Sequence, residues 1–433
     1  MLIAEWSITN PDRRVERFLK RPAFAPDAEV AAAEVLAAVR ARGDAAVIAY
    51  ARRFDGARLT AAGLRVTPAE IAAATAAVDP AFRRAVREAR KRIAAFAQAG
   101  RARDWRMKSP GGGMLGERFV PFERVGVYVP GGAAPLASTA LMTATLAAVA
   151  GVPEIVVCSP CGADGSLNPF LLHAVAAAGA TEIYRVGGVQ SIGMMAFGTR
   201  TVPKVQKIVG PGGTFVTAAK RQVYGHVALD LVAGPSEIAV LADASADPRF
   251  VAADLLSQAE HGTGWEKALL VTPAPELAAA VAAELDRQTR TLSRAKAIRR
   301  VLRAGVLLAV VPSLDDGVEL VNRFAPEHLE VMTRAPRRLL PRLRCAGAIF
   351  LGPWTPESAG DFAAGPSHVL PTGGAAAMFS GLTVSDFQRR SSVIAFTRRD
   401  LEETLPIIEA FGRVEGLDGH ARSARIRFER EAT

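Results

Sequence analysis

The chain has 433 residues, 50% of them hydrophobic and 22% charged, which predicts several domains of a folded enzyme and excludes a disordered chain. No apolar run reaches the ~18–20 residues of a membrane helix, the first residues lack a secretory signal pattern, and three cysteines suit a reducing compartment. We therefore expect a cytoplasmic protein that has no membrane partner.

The formal net charge of +10 raises the alternative of a nucleic-acid-binding surface. However, the basic residues are spread over an arginine-rich helical stretch at 82–92 and the carboxyl-terminal tail, with few aromatic residues between them. No nucleic-acid recognition motif accompanies them. We interpret the charge as a solvated basic face and expect no nucleic-acid partner.

The first hundred residues are predicted to be helical. The Ala-rich segments 26–54 and 68–99 have apolar residues at helical spacing, and Gly43 interrupts the first of them. Asp27 and the Thr67-Pro68 pair are typical of helix starts. The polar, glycine-rich segment 101–122 predicts a loop or hairpin.

Short β-branched runs alternate with helical segments in two successive sets, one over residues 125–241 and one over residues 268–351. Apolar strands of this length between helices predict parallel sheets that are covered on both faces. Ligands are then expected beyond the carboxyl ends of the strands. The predicted fold class is α/β, with two Rossmann-like parallel-sheet domains and small helical amino- and carboxyl-terminal extensions.

This pattern also predicts domain boundaries. We expect an amino-terminal helical arm at 1–25, a first α/β domain made of 26–127 together with 243–366, an inserted second α/β domain at 128–242, and a carboxyl-terminal loop and helical arm at 367–433. The long irregular stretch that follows Gly352 is expected to carry function, because structureless loops of this length are uncommon in compact domains.

Gln258 and His261 are three residues apart just before Gly262, so both are predicted to project from the last turn of one helix. One interpretation is an ordinary helix end, where histidine suits the helix dipole and glycine supplies the cap. The other is half of a zinc site, completed by Asp361 and His420. These residues are distant in sequence and lack a compact ligand spacing, so both interpretations stay open.

Three other motifs carry weaker signals. Glu327 and His328 precede a strand and are either proton acceptors in a cleft or a solvated turn. Cys158 and Cys161 have a CxxC spacing, but without a thioredoxin pattern or a second cysteine pair we expect ordinary thiols. The glycine turns at 187–190 and 210–213 could hold a pyrophosphate, although neither matches G-x-G-x-x-G.

Seven motifs occur in order along the chain: GVYVPGG at 126–132, AGPSE at 233–237, LLSQAEH at 255–261, PEHL at 326–329, PESAGD at 356–361, SHVLPT at 367–372 and EGLDGH at 415–420. Together they resemble the histidinol dehydrogenase family from about residue 125 to residue 420. Members of that family oxidise L-histidinol through histidinal to L-histidine, the last step of histidine biosynthesis. They use two NAD in succession and one zinc ion per site.

The resemblance implies a role for each matching residue. Glu327 and His328 would be the catalytic pair, and Gln258, His261, Asp361 and His420 the zinc ligands. The substrate-binding residues would be Ser236, Gln258, His261, His328, Glu357, Asp361, His368, Glu415 and His420. The cofactor-binding positions would be Tyr128, Gln190 and Gly213. Family members are homodimers with shared active sites, so His420 and Glu415 are expected to complete a neighbour's pocket.

Two departures from the family pattern and two alternatives remain. The stretch Trp265-Glu266-Lys267 after the His261 motif is unusual for the family. Gly213 stands where the family usually has Asn, so one side-chain hydrogen bond to the cofactor is expected to be missing. The chain could instead be a paralogue that oxidises another small alcohol such as a sulfonated diol, but carboxylates such as Glu357 suit an ammonium group better than a sulfonate. A second alternative is a non-catalytic member that acts as a binding protein.

Overall fold

The structure is a computed structural model that describes residues 2–21, 25–131, 135–231 and 234–429. Gly132 and Ala233, which belong to two of the motifs above, lie outside these ranges, as does the end of the predicted amino-terminal arm at 22–24. Within the described ranges, no helix combines the length and apolarity that crossing a membrane requires.

The helices alternate with strands over most of the chain. The helices are α1 (Arg13–Leu19), α2 (Pro26–Arg42), α3 (Asp44–Asp55), α4 (Pro68–Ala77), α5 (Pro80–Gly100), α6 (Ala137–Ala150), α7 (Pro169–Ala178), α8 (Gly188–Phe197), α9 (Thr214–Val223), α10 (Pro248–Ala259), α11 (Pro275–Thr289), α12 (Ala295–Ala304), α13 (Leu314–Phe324), α14 (Pro336–Leu339), α15 (Glu357–Phe362), α16 (Arg398–Glu415) and α17 (Asp418–Arg425). The strands are β1 (Leu2–Glu5), β2 (Trp105–Lys108), β3 (Met114–Pro121), β4 (Arg124–Tyr128), β5 (Glu154–Cys158), β6 (Glu182–Tyr184), β7 (Lys207–Val209), β8 (Ala228–Leu229), β9 (Glu237–Ala242), β10 (Lys267–Thr272), β11 (Val306–Val310), β12 (His328–Met332), β13 (Ala348–Leu351) and β14 (Gln388–Ala395).

The described residues form three sheets. The first is parallel and has six strands in the order β1-β11-β10-β9-β12-β13, and the second is parallel and has five strands in the order β6-β5-β4-β7-β8. The third is antiparallel and has the order β14-β3-β2. The predicted α/β class with two parallel sheets is therefore confirmed.

Local sequence signals explain where several elements begin. Thr67 caps α4 with a complete capping box, because its hydroxyl accepts from the N–H of Glu70 and the Glu70 carboxylate accepts from the N–H of Thr67. Gly43 ends α2, as predicted. All six residues of β9 are buried, which is typical of a strand at the centre of a sheet with helices on both faces.

The predicted division into domains stays a prediction, but the sheets assign three segments differently. Residues 2–5 form an edge strand of the six-stranded sheet, where a helical arm was predicted. The helices within 26–100 pack on the five-stranded sheet, with α2 against α8 and α9. Residues 237–242 pair with β10 and β12, not with the inserted strands. Strand pairing and helix packing between separate segments leave no local signal in the sequence, which explains the differences.

The chain forms two compact units, residues 1–100 with 122–387 and residues 101–121 with 388–433. The first contains both parallel sheets. In the second, the antiparallel sheet is accompanied by α16 and α17, and the Asp400 carboxylate accepts from the N–H groups of Gly111 and Gly113 at 2.7 and 3.0 Å. The predicted hairpin at 101–122 and the predicted helical tail are both present.

The turn after β7 is fixed by its own glycine and by a buried ion pair. Gly210 has a φ of 111°, and a Cβ there would overlap the carbonyl oxygen of Tyr128. Lys220 donates to the Gly210 carbonyl at 2.8 Å, and the Gly210 N–H donates to Asp230 at 2.7 Å. This turn therefore lies directly against the end of β4.

We expect Gly210→Ala to lower the free energy of unfolding by at least about 1–3 kcal/mol. The new Cβ would overlap the Tyr128 carbonyl oxygen, and alanine would have to adopt a positive φ. The measurement is the urea midpoint. Gly213→Asn in the same turn is the matched control, since a Cβ at Gly213 has no heavy atom within 4 Å and its φ is −67°. Equal midpoints for the two variants would contradict the expectation.

Candidate functional site

The predicted catalytic residues lie at the amino edge of the six-stranded sheet. His328 is the first residue of β12, Glu327 precedes it, and the neighbouring strand β9 begins at Glu237. For this sheet the predicted site residues therefore lie at the amino edge, whereas ligands were expected beyond the carboxyl ends of the strands. Helix α10 follows β9 and ends at that amino edge, where Ser257 contacts Glu357.

Glu327 and His328 are both held by the main chain of Glu237. The Glu237 N–H donates to Glu327 Oε2 at 2.9 Å, and His328 Nδ1 lies 3.1 Å from the Glu237 carbonyl oxygen. A carbonyl only accepts, so Nδ1 carries the proton. His328 Nε2 has no hydrogen-bond partner among the described residues. Both side chains are buried, which excludes a solvated turn.

A compact group of possible metal-binding atoms surrounds His328 Nε2. Asp361 Oδ1 lies 3.5 Å away and Glu357 Oε1 lies 3.9 Å away. The three residues offer ligand atoms that all lie within 4.8 Å of one another. Ser257 donates to Glu357 at 2.8 Å, so the last turn of α10 fixes the first residue of α15.

The electrostatics of this group are dominated by burial. It raises the pKa of Glu327 to about 8 and that of Glu357 to about 7. For His328 burial acts in the opposite direction, but the Glu327 and Asp361 carboxylates raise its pKa to about 10. Against the effect of burial, the His328 and His368 imidazoles lower the pKa of Asp361 to about 2. Three carboxyl groups around one imidazole form a site suited to a cation.

His368 extends this site toward the five-stranded sheet. Its Nδ1 lies 3.1 Å from the Asp361 carbonyl oxygen and its Nε2 lies 3.2 Å from the hydroxyl of Thr139 on α6. Because the carbonyl only accepts, Nδ1 donates and Nε2 accepts from Thr139. Thr139 lies in the first turn of α6, which follows β4. The amino edge of one parallel sheet thus meets the carboxyl side of the other.

Two predicted zinc ligands lie at the end of α10. Gln258 is fully buried, and neither its Oε1 nor its Nε2 has a hydrogen-bond partner among the described residues. The helix ends at Ala259, so His261 lies in the following turn and not in the last helical turn as predicted. The Gly262 φ of 72° explains the break. His261 is exposed, and its Nδ1 lies 2.9 Å from the hydroxyl of Ser236.

Two of the predicted site residues, Glu415 and His420, lie in the second compact unit, and the predicted cofactor positions lie on the five-stranded sheet. Glu415 and His420 are exposed residues of the second compact unit, at the end of α16 and within α17. Within the described part of that unit, no other residue was predicted to belong to the site. The group His328, Glu357 and Asp361 therefore includes one of the four predicted zinc ligands and one predicted catalytic residue.

The predicted cofactor positions lie at the carboxyl edge of the five-stranded sheet. The order of its strands reverses between β4 and β7, and the crevice at such a point is where dinucleotides bind in open α/β sheets. Tyr128 ends β4, and its hydroxyl is 3.4 Å from the Gly188 N–H that starts α8. Gln190 is 1% exposed and both atoms of its amide lack partners. Gly213 is the N-cap of α9.

Sequence reasoning missed a pair of carboxyl groups beneath the site. Glu330 on β12 is buried, its Oε1 accepts from the Glu357 N–H at 2.7 Å, and its side chain is hydrogen-bonded to Asp254 on α10. Two carboxyl groups can form such a bond only if they share a proton. The sequence does contain a signal for Glu330: a charged residue inside an apolar strand is rare unless it has a buried partner.

The CxxC motif does not contribute to this site. Within the described residues all three cysteines are free thiols, and burial raises the pKa of Cys158 well above its ordinary value. Cys161 donates to the Arg185 carbonyl at 3.3 Å. These contacts agree with the expectation of ordinary thiols.

Fold and site together describe an α/β protein with a buried group of one imidazole and several carboxyl groups. The family model described as histidinol dehydrogenase matches residues 20–428. The chain belongs to the histidinol dehydrogenase family. The histidinol dehydrogenase of Heliobacterium mobile is 46% identical over 425 residues, which cover 98% of this chain and 99% of that protein.

Two further relatives agree. The histidinol dehydrogenase of Symbiobacterium thermophilum is 47% identical over 409 residues, which cover 94% of this chain and 93% of that protein. The crystal structure of histidinol dehydrogenase from Elizabethkingia anophelis superposes with a TM-score of 0.94 at 34% identity, covering 99% of this chain and 98% of that one. The similarity therefore extends over both compact units.

The Asp254–Glu330 pair makes a prediction for stability. Burial raises the pKa of Asp254 to about 6 and that of Glu330 further. The folded state therefore binds more protons than the unfolded state, and the free energy of unfolding falls as the pH rises from about 4 through 6. Asp254→Asn should flatten this fall by on the order of 1–2 kcal/mol.

The measurement is urea unfolding at several pH values between about 4 and 8. Asp286→Asn, at an exposed position on α11, is the control and should keep the wild-type slope. If Asp254→Asn also keeps that slope, the carboxyl groups do not share a proton.

Proposed function

We propose that this chain catalyses the zinc-dependent, NAD-linked oxidation of L-histidinol to L-histidine through histidinal, the last step of histidine biosynthesis. The observation that carries the proposal is the buried His328, whose Nδ1 is held by the Glu237 carbonyl while Nε2 faces Asp361 and Glu357. An imidazole fixed in this way presents one lone pair to a bound alcohol, as a general base requires.

The donor set fits zinc. Gln258 is fully buried with an unpartnered amide, which is costly unless something outside the described chain completes it. An amide oxygen, an imidazole and a carboxylate are ligands that zinc accepts. Gln258, His261 and Asp361 would hold the ion together with His420 of a neighbouring subunit. When bound, it would orient the substrate and polarise its oxygen.

His328 and Glu327 divide the proton transfers. In the first oxidation, His328 Nε2 accepts the proton of the alcohol as hydride leaves for NAD. In the second, Glu327 accepts a proton from the water that hydrates the aldehyde, a role that suits a carboxyl group whose pKa burial raises to about 8. A cation among the carboxylates would lower the pKa of His328 from about 10 toward the range of a base.

Substrate and cofactor are bound by the groups around this pair. Glu357 and Glu415 suit the ammonium group of histidinol, and Ser236 and His368 lie beside His261 and Asp361 respectively. Tyr128 and Gln190 would contact NAD in the crevice of the five-stranded sheet. At Gly213 one neutral hydrogen bond to the cofactor is absent, which typically weakens binding by ~0.5–1.5 kcal/mol without abolishing it.

The proposal includes a homodimer with shared active sites. Its support is that α16 exposes the apolar side chains of Ile407, Phe411 and Val414 on the unit that carries Glu415 and His420. Apolar groups that are exposed together on a helix are typical of a protein–protein contact. A monomer would then lack His420 and Glu415 in its site.

The alternative functions are weaker. A sulfonated diol would place an anion beside Glu357 and Asp361, where repulsion is not screened by solvent. A non-catalytic binding protein would not need Glu327 and His328 buried with specific main-chain partners. Neither alternative has an observation in its favour.

The purified protein should form two NADH per L-histidinol, because both oxidations occur at one site. Chelation should abolish the reaction and zinc should restore it, with zinc content measured on the same samples. A yield of one NADH would indicate a simple alcohol dehydrogenase. Undiminished activity after complete metal removal would refute the role of the ion, and turnover of another alcohol in place of histidinol would indicate the paralogue.

His328→Asn should lower kcat for the first oxidation by about 10²–10⁴-fold, because it removes the proton acceptor while an amide can still donate to the Glu237 carbonyl. Zinc content should stay at the wild-type level. His226→Asn, at an exposed histidine whose ring packs on Phe197, is the matched control and should leave kcat unchanged. A His328→Asn enzyme with wild-type kcat would remove this residue from the mechanism.

A further inference from the structure

A buried arginine lies behind the catalytic pair. Arg21 Nε is 2.8 Å from Glu237 Oε1, and the side chains of the two residues are 9% and 2% exposed. Glu237 is the residue whose N–H holds Glu327 and whose carbonyl holds His328. The arginine therefore contacts the side chain of the one residue that orients both catalytic groups.

The same arginine also contacts the segment that leads into Glu327. Its Nη2 donates to the Phe324 carbonyl, and its guanidinium lies 4.1 Å from the centroid of the Phe324 ring. Phe324 ends α13 three residues before Glu327. Arg21 is thus bound at once to the start of β9 and to the end of α13.

The connection between Phe324 and Glu327 is strained. Ala325 has a φ of 45°, and it is the one non-glycine residue of the described chain with a positive φ. A conformation of this kind persists only where the surrounding contacts determine it. The Ala325 N–H donates to the Val321 carbonyl at the end of α13, and the Arg21 contacts with Phe324 are immediately adjacent.

We propose that the Arg21–Glu237 ion pair is a positioning device that holds Glu327 and His328 in their working geometry. The proposal rests on the catalytic roles assigned above. A buried ion pair is a poor source of stability, since an apolar pair of similar volume is often equally stable. A geometric role accounts for it: the planar guanidinium links two main-chain segments that would otherwise move independently.

The test separates positioning from stability with four variants. Arg21→Met should lower kcat by about 10–100-fold, the loss that a displacement of about 1 Å causes. The KM for NAD should stay within about threefold and zinc content should not change, because neither the crevice nor Gln258 contacts Arg21. Arg21→Lys keeps the charge but not the planar fork, and its kcat should lie between those of Arg21→Met and the wild type.

The other two variants provide the controls. Arg21→Met combined with Glu237→Gln removes both charges of the buried pair, so it should regain stability relative to Arg21→Met while kcat stays low. Arg124→Met removes a guanidinium of the same 9% exposure that pairs with Glu182 at the opposite sheet, and it should lose stability but not kcat. A double variant that regains kcat together with stability would overturn the proposal.

A second measurement does not depend on turnover. NMR spectra of protein labelled with ¹⁵N-histidine report the ring nitrogens. The His328 signals are identified as those that disappear in the spectrum of His328→Asn. The wild type should show a protonated Nδ1 and an unprotonated Nε2 when loaded with zinc, and Arg21→Met should show a mixture of tautomers. Identical His328 signals in the two proteins would overturn the proposal.

A wild type that forms no NADH from histidinol would refute the proposed function instead, and these spectra would still decide the positioning role.

Discussion

The two main-chain contacts of Glu237 hold both predicted catalytic residues, Glu327 and His328, in place. One N–H and one carbonyl group of a single peptide segment bind Glu327 at 2.9 Å and His328 at 3.1 Å. Main-chain groups at the start of a buried central strand cannot move without disturbing the sheet, so they fix both side chains more firmly than side-chain partners would. The His328 tautomer follows directly, since a carbonyl can only accept.

The two parallel sheets contribute different parts of the site because they present opposite edges to it. The five-stranded sheet presents the carboxyl side of β4, with the kind of crevice that binds dinucleotides in open α/β sheets. The six-stranded sheet presents the amino ends of β9 and β12, where the predicted catalytic residues Glu327 and His328 lie. The 3.2 Å contact between His368 and Thr139 joins the two.

Much of the fold was predictable because buried parallel strands are short, β-branched and separated by helices, as β5 and β10 are. Edge strand β1 was not, since it pairs with β11 some three hundred residues away and has no pattern of its own. The candidate site residues come from motifs, but the motifs name side chains only. The role of Glu237 lies in its peptide groups, and that of Arg21 in contacts from a distant segment, so neither leaves a signal at the position itself.

Electrostatic cost explains why the site needs supporting groups. Glu327, Glu357, Asp361 and Glu330 are buried or partly buried around one imidazole, and repulsion among them is strong in a medium of low polarity. Three of these four carboxyl groups have a hydrogen-bond donor of their own. Glu327 accepts from a peptide N–H, Glu357 accepts from Ser257, and Glu330 accepts from the Glu357 N–H. Asp361 and Glu357 also face His328 Nε2, at 3.5 and 3.9 Å, so negative charge is concentrated around that ring nitrogen.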